Sequence, residues 1–380
     1  MRNAILMSAA MLVLTGCSQP DNENTDSAGS PGDKLETTSR GDHIDTYFGV
    51  EVPDPYRWLE DDLSSDTAEW IADQNASTRS YIDAIALRND VKSTVARLLN
   101  FERETAPFIE GGKRYFYRNS GLQNQRVLYR IEDDASEVVF LDPNTFSEDG
   151  TVSMSSVSFS EDGSLVAYQL SEGGSDWRSI VIRDVATGDV LEAPLVNVKF
   201  SGINWLGNEG FFYSSYDKPE GSELSKKTDQ HKLYFHALGT PQSSDEVIFG
   251  ATAEQKHRYV GASVGGDDRY LVISAANSTS GNKLFIKDLA SESDDLIVVF
   301  ADESADGSLL EGNDDYLLIE TNRDAPKGRV IALDPQAAGA TDWHDIIPES
   351  EHVLNASSSA GYLFAEYMID AISHVKQYDL

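Results

Sequence analysis

Residues 261–288 read GASVGGDDRYLVISAANSTSGNKLFIKD and carry the local pattern on which the fold depends. A short apolar alternation ends in a turn around Asp267, the run YLVIS follows, and a Ser/Gly/Asn turn leads to KLFIKD. Alternating Val, Ile, Leu, Tyr and Phe are typical of strands, whereas Gly, Asp and Asn between them are typical of turns. This stretch therefore predicts consecutive antiparallel strands.

The same pattern repeats along the chain after about Phe101. Turns precede six similar strands at intervals of 50, 45, 60, 46 and 47 residues, centred on Gly112, Asp162, Gly207, Asp267, Asn313 and Ala360-Gly361. A second set of strands ends at intervals of 52, 52, 46 and 45 residues, near Asp184, His236, Asp288, Asp334 and Asp379. Two markers with one period of roughly 45 to 50 residues favour four-stranded propeller blades over a sandwich. The predicted fold class is mainly β, with a seven-bladed-type propeller over residues 102–380.

Two irregularities in this repeat have distinct interpretations. The interval of 60 residues contains the polar insertion KPEGSELSKKTDQ (218–230), which we place on a loop between strands. The sixth blade has only three predicted strands, the last being VKQYDL (375–380). We therefore expect about six blades with the last incomplete, a pattern that favours a fragment or a truncated reading frame.

A short helical segment precedes the propeller, and its domain bounds are predicted as 43–101. Ser64 or Ser65 is suited to cap a first helix, and a second is predicted after Asn89-Asp90. Apolar residues recur at helical spacing in both, at Trp70, Ile71, Tyr81, Ile82, Ile85, Val91, Val95, Leu98 and Leu99.

The first 17 residues, MRNAILMSAAMLVLTGC, have the features of a signal peptide. Arg2 precedes an apolar run that is too short to span about 30 Å of hydrocarbon. The run ends at Cys17, the only cysteine, in a context that resembles the bacterial lipoprotein box. We expect Cys17 to become the lipidated first residue of the mature protein, followed by a flexible polar tether over 18–42. An ordinary signal peptide with an unrelated cysteine is the alternative. Lipidation would place the protein in the bacterial cell envelope, on the periplasmic side.

Composition excludes some partners. The chain has 64 acidic and 30 basic side chains, a formal charge of -34, which repels nucleic acid and anionic lipid surfaces. Its seven histidines show no paired metal spacing, so we predict no metal site. His231 and His236 are predicted to be surface or turn histidines rather than catalytic bases.

Several longer strings resemble one enzyme family, the prolyl oligopeptidases. The resemblance extends over about residues 43–380 and is carried by PDPYRWLEDD (53–62), GGKRYFYRNSGLQNQRVLY (111–129), FLDPNTFSEDGTVSMSSVSFSEDGSLVAY (140–168), SEGGSDW (171–177) and KLYFHALGTPQSSDEVIF (232–249). Each string, taken singly, is also what propeller scaffolding requires, with Trp177, Trp205, Tyr115 and Tyr129 packed between blades.

The resemblance implies a serine endopeptidase that cleaves short peptides after proline. In this family the propeller restricts access to an α/β-hydrolase domain that carries the Ser-His-Asp triad, no cofactor is used, and the helical segment packs on that domain. Neither the hydrolase pattern nor the family's Gly-Gly-Ser-Asn-Gly-Gly elbow occurs in this sequence, so we expect no catalytic residues in this chain and no activity from it alone. A full-length enzyme is expected to be a monomer. The alternative is a non-catalytic lipoprotein propeller that acts as a binding module, or a pseudogene product.

One string imitates a nucleophile elbow. Gly261-Ala262-Ser263-Val264-Gly265 fits G-x-S-x-G, but that motif requires a following helix, and here a turn leads into another predicted strand. We therefore expect Ser263 to be a blade residue.

The resemblance also implies substrate contacts on the propeller. Phe200 aligns with a phenylalanine that lines an apolar subsite in family members, and Tyr259 aligns with a second contact of that subsite whose residue type differs. An arginine that contacts ligand in some members would fall near Ala276 and is missing. The alternative for Phe200 is a ring buried in a blade.

Overall fold

The structure is a computed structural model that describes residues 38–219, 221, 227–336 and 343–380. Six antiparallel sheets follow one another along the chain, and we number them blade 1 to blade 6. Blades 2 to 5 each have four strands in sequence order, and blade 6 has three. The predicted six blades with a three-stranded last blade are confirmed.

The strand bounds follow the predicted period. Blade 1 contains Arg103–Glu104 and Phe108–Glu110, which share the first position because both pair with Lys113–Asn119, then Val127–Ile131 and Glu137–Leu141. Blade 2 contains Val152–Phe159, Leu165–Glu172, Trp177–Asp184 and Leu195–Lys199. Blade 3 contains Asn204–Leu206, Gly210–Tyr216, His231–Ala237 and Glu246–Phe249. Blade 4 contains Tyr259–Gly265, Tyr270–Ala276, Lys283–Asp288 and Ile297–Phe300. Blade 5 contains Gly307–Gly312, Leu317–Thr321, Arg329–Leu333 and Trp343–Ile347, and blade 6 contains Leu354–Ser359, Tyr362–Ile369 and Ile372–Asp379.

The hydrophobic core lies between neighbouring blades. Five clusters of buried side chains occur in the described residues, and each joins two consecutive blades. Between blades 2 and 3, for example, Ile180 and Ile182 pack with Trp205 and Phe211. Strands that are covered on both faces explain why runs such as GFFYSSY (210–216) are buried at every position.

The turns that open each blade come close together at one pair of glycines. Gly111 and Gly163 have φ values of 52° and 69°, and a Cβ atom on Gly163 would collide with the backbone of Gly111. Only glycine permits both the left-handed conformation and this approach of two backbones. The predicted Asp162-Gly163 turn therefore also sets the distance between blades 1 and 2.

The amino-terminal segment forms a hairpin, Ile44–Tyr47 with Val50–Pro53, and two helices, α1 (Ser65–Asp83) and α2 (Arg88–Leu99). The Ser64 side chain caps α1 by accepting a hydrogen bond from the Asp66 amide, as the sequence predicts. The second helix is predicted after Asn89-Asp90, but it begins at Arg88, so both residues lie in its first turn.

These helices expose much of their apolar surface. Only Thr67 is buried in α1, and α2 has no buried residue. The exposed apolar side chains are Ile71, Tyr81, Ile85, Leu87, Val91, Val95, Leu98 and Leu99. No helix among the described residues is long and apolar enough to cross a membrane.

Candidate functional site

Strand direction defines two faces of the propeller. Because neighbouring strands are antiparallel, the loops between blades and the loops from second to third strands open on the same side, which we call the junction face. The turns between first and second strands open on the opposite side, which we call the turn face. The chain enters blade 1 from α2 at the junction face, and Phe200 and Tyr259 both lie there.

Phe200 has an unusual backbone and an exposed ring. It directly follows the last strand of blade 2, its φ is 53°, and 47% of its surface is exposed. A left-handed conformation is an outlier for a bulky residue and occurs mainly in turns and at functional sites. The ring centroid lies 5.9 Å from that of Tyr259 and 6.3 Å from that of Tyr216. The buried-ring alternative for Phe200 is therefore wrong in this structure.

Tyr259 begins the first strand of blade 4 and is half-buried. It pairs directly with Ala276 on the next strand, the position at which the arginine of some family members is missing. A different arginine is close by, because the guanidinium carbon of Arg258 lies 5.7 Å from the centroid of the Tyr259 ring. The structure thus brings the two predicted contact residues together and adds a cation that sequence reasoning missed.

A second missed cation lies behind Phe200. Lys199 is only 9% exposed, and its Nζ atom lies 5.0 Å from the centroid of Trp177 and 5.3 Å from that of Phe200. Cation–π contacts of this kind stabilise an ammonium group and hold the aromatic faces in place. The site is therefore an aromatic surface with Arg258 beside it and the buried Lys199 behind it.

His231 holds the base of this surface together. Its Nε2 donates to the carbonyl oxygen of Lys199 at 2.8 Å, and its Nδ1 accepts from the amide of Val260 at 2.8 Å. Its ring stacks on Tyr216 with centroids 4.3 Å apart. Burial lowers the pKa of His231 to about 4, so the imidazole is neutral near pH 7. One side chain thereby connects blades 2, 3 and 4.

The prediction that His231 and His236 are surface or turn residues is wrong. Both lie in the third strand of blade 3, and they are 0% and 1% exposed. His236 contacts Asp245 and Glu192 on the opposite, turn-face side. The prediction placed both histidines at the surface because their side chains are polar. A histidine with two hydrogen-bond partners is nevertheless readily buried.

Ser263 is confirmed as a blade residue. It lies within the first strand of blade 4 and pairs with Val272 in a regular antiparallel ladder, followed by the turn at Asp267. A nucleophile elbow requires an exposed serine between a strand and a helix. The described part of the chain also contains no group of three His, Cys, Asp or Glu residues placed to hold a metal ion. Cys17, the predicted lipidation site, lies outside the described residues.

Six consecutive antiparallel sheets, of which blades 2 to 5 have four strands in sequence order, place the chain in the class of β-propeller proteins. A family model described as "Prolyl oligopeptidase, N-terminal beta-propeller domain" matches residues 36–380. The chain belongs to the prolyl oligopeptidase family.

Relatives and solved structures agree with this assignment. A prolyl endopeptidase of Elizabethkingia meningoseptica is 49% identical over 91% of this chain and 49% of its own length. Prolyl oligopeptidase A of Amanita bisporigera is 35% identical over 82% of this chain and 45% of its own length. The solved prolyl oligopeptidase B of Galerina marginata, bound to a 35mer hydrolysis and macrocyclization substrate, superposes with a TM-score of 0.77 at 28% identity over 90% of this chain and 52% of its own. The chain thus spans about half the length of the relatives it matches.

Proposed function

We propose that this chain is the propeller part of a serine endopeptidase that cleaves short peptides after proline. The propeller admits and orients the peptide, and the triad belongs to a hydrolase domain that packs against α1 and α2. The observation that carries the proposal is the exposed ring of Phe200, held at φ 53° beside Tyr259 on the junction face. An exposed aromatic on a constrained backbone is suited to contact an apolar side chain of a peptide.

The basic groups beside and behind the aromatic surface support a peptide ligand. Arg258 and Lys199 place positive charge beside Phe200 and Tyr259 in a chain that is otherwise strongly acidic. Peptide carbonyl oxygens are hydrogen-bond acceptors, and cationic donors make the stronger bonds to such groups. Tyr216 further limits the freedom of this part of the site, because its hydroxyl donates to the carbonyl oxygen of Arg258.

The proposal includes a place in the cell. Lipidation at Cys17 would hold the propeller on the periplasmic side of the bacterial envelope. The acidic surface discourages contact with nucleic acid and anionic lipid. A full-length protein is proposed to act as a monomer without a cofactor.

Peptide binding to the 380-residue chain tests the proposal. A fluorescent proline-containing octapeptide is titrated into the wild type and into Phe200→Ala. We expect the substitution to weaken binding by about tenfold to a hundredfold, since a buried aromatic ring contributes about 1.5 to 3 kcal/mol. Phe48→Ala is the matched control, because Phe48 is also an exposed phenylalanine with a left-handed backbone, φ 52°, but lies in the amino-terminal hairpin turn. Equal weakening by both variants, or by neither, would contradict the proposal.

A further inference from the structure

A polar cavity of about 620 Å³ opens on the junction face between blades 1 and 2. Phe200 and Tyr259 do not line it. One wall is the loop 120–126 between the second and third strands of blade 1, and the opposite wall is the bulged first strand of blade 2 around 154–157. The loop carries GLQNQR (121–126), part of the string 111–129 that resembles the prolyl oligopeptidases and to which the proposed function gives no role.

The loop that forms this wall is held by buried hydrogen bonds. Asn119, 5% exposed, accepts from the amide of Gly121 at 2.9 Å and donates to the carbonyl oxygen of Gln123 at 2.9 Å. Gln125 donates to the carbonyl oxygen of Val152 at 2.7 Å and so fastens the loop to blade 2. A ligand that enters the cavity therefore does not have to order the loop, and little affinity is lost to ordering.

Two arginines line the cavity without a carboxylate partner. Arg103 donates to the carbonyl oxygen of Gly121 at 3.1 Å, which leaves other guanidinium donors available. Neither Arg103 nor Arg126 takes part in an ion pair within the described residues. The carboxylate that lines the cavity belongs to Glu104, and Arg118 engages it. The charged side chains that line the cavity are thus two arginines and one carboxylate, an excess of one positive charge.

Five arginines elsewhere in the blades have carboxylate partners, namely Arg118, Arg130, Arg269, Arg323 and Arg329. Others within the described residues have neutral partners instead, as Arg178 does with Ser155 and Gln169. A guanidinium group presents a planar fork of donors that matches the two oxygens of a carboxylate. It has no acceptor, so it cannot form a hydrogen bond with a cation. Gln123, Asn124 and Ser155 add neutral polar groups to the same walls. The chemistry of the lining is that of a site for one small anion.

We propose that this cavity binds a carboxylate of the peptide ligand, either its free carboxyl terminus or an Asp or Glu side chain. This inference rests on the proposed function, because it requires the peptide to reach the junction face. A single carboxylate fits better than a phosphate chain or nucleic acid, because the net charge of -34 repels a ligand with many negative charges more strongly than a ligand with one. The cavity is then a second subsite that selects for charge, whereas Phe200 selects for apolar shape.

Three forms of one proline-containing octapeptide test the site against the 380-residue chain: the free acid, the carboxyl-terminal amide, and an amide with one added Asp. We expect the free acid, the Asp-containing amide, or both to bind about tenfold more tightly than the plain amide, and the form that gains identifies the source of the carboxylate. Arg126→Gln should remove that gain and leave the affinity for the plain amide unchanged. Arg103→Gln should act in the same way.

The control is a substitution of an arginine at the other end of blade 1, outside the cavity. Arg114→Gln removes the same charge from the turn-face end of blade 1 and should preserve the gain. If Arg114→Gln reduces the gain in affinity as much as Arg126→Gln does, the gain reflects the overall charge of the protein, and the site is overturned. Equal affinity of the wild type for all three peptides, while Phe200→Ala still weakens the binding of each, would also overturn the site. Absence of binding by any peptide would overturn the proposed function as well. If thermal unfolding shows that Arg103→Gln destabilises the loop, the result with Arg126→Gln decides whether the site exists, since the Arg126 side chain makes no hydrogen bond within the described residues.

Discussion

The Nε2 atom of His236 lies 2.9 Å from Oε1 of Glu192, and this contact joins blade 3 to blade 2. On its other side, Nδ1 of the same ring lies 2.8 Å from Oδ1 of Asp245. An imidazole between two carboxylates can donate to both only when it is protonated. The contact is therefore a buried, charged connection between neighbouring blades.

The pH dependence of stability should change when His236 is replaced. Burial lowers the pKa of His236, but hydrogen bonds and charges from Asp245 and Glu192 outweigh burial and raise it above its usual value. A raised pKa stabilises the folded state below the unfolded pKa of about 6.5, and this stabilisation is lost as the pH rises through the folded value. We expect denaturant unfolding of the wild type to show that loss above about pH 6.5. His236→Asn should be less stable at pH 6 and lack the alkaline slope, whereas an unchanged slope would contradict the assignment.

His231 should make the stability of the folded state depend on pH in the opposite direction. Its pKa is lowered to about 4 by burial, so the unfolded state binds the proton more readily. The stabilisation is complete above about pH 6.5 and is lost as the pH falls toward 4. His231→Phe keeps the stacking on Tyr216 but leaves the Lys199 carbonyl and the Val260 amide without this partner, so we expect a loss of about 2 to 4 kcal/mol near pH 7. Equal stability of variant and wild type at pH 7 would show that the bridge between blades is weak.

Ser263 should be unreactive. A serine within a regular strand has neither a base nor oxyanion donors to activate it, so a fluorophosphonate probe should not label the 380-residue chain. A known serine hydrolase mixed into the sample controls for probe activity. Stoichiometric labelling that Ser263→Ala abolishes would overturn this account.

Cys17 should determine localisation. If it is lipidated, the wild type should sediment with envelope membranes, and Cys17→Ser should move the protein to the soluble fraction or block its maturation. Mass spectrometry of the purified wild type should detect acyl chains on the amino-terminal residue. Recovery of unmodified wild type in the soluble periplasmic fraction would contradict the prediction.

The exposed helix surface should promote association. Val95 and Leu98 on α2 are 47% and 60% exposed, and water contact of a contiguous apolar surface is unfavourable. Val95→Ser together with Leu98→Ser should reduce concentration-dependent association of the 380-residue chain in sedimentation velocity experiments. Ser93→Ala on the same helix serves as a control that should leave association unchanged. Association that persists in the double variant would place the contact elsewhere.

The repeat was predictable from sequence because each blade repeats the same local chemistry. Turns favour particular residue types, such as Asp162 and Asp267, and these residue types can be recognised from the local sequence alone. The same holds for the Ser64 cap. Family resemblance supplied Phe200 and Tyr259, and the structure places their rings side by side.

Contacts between blades were not predictable in this way. His231 and His236 differ only in what lies beyond their own strand: carbonyl and amide groups for one, and two carboxylates for the other. Lys199 likewise gains its role from the ring of Trp177, which is distant in sequence. A single sequence has no periodic signal for such pairs.

Each sheet takes all of its strands from one uninterrupted stretch of chain, and each buried cluster involves only successive blades. Contacts of such short sequence separation form early in folding, because little loop-closure entropy is lost. The blades can therefore assemble in chain order, each newly finished sheet covering the apolar side of the one before it.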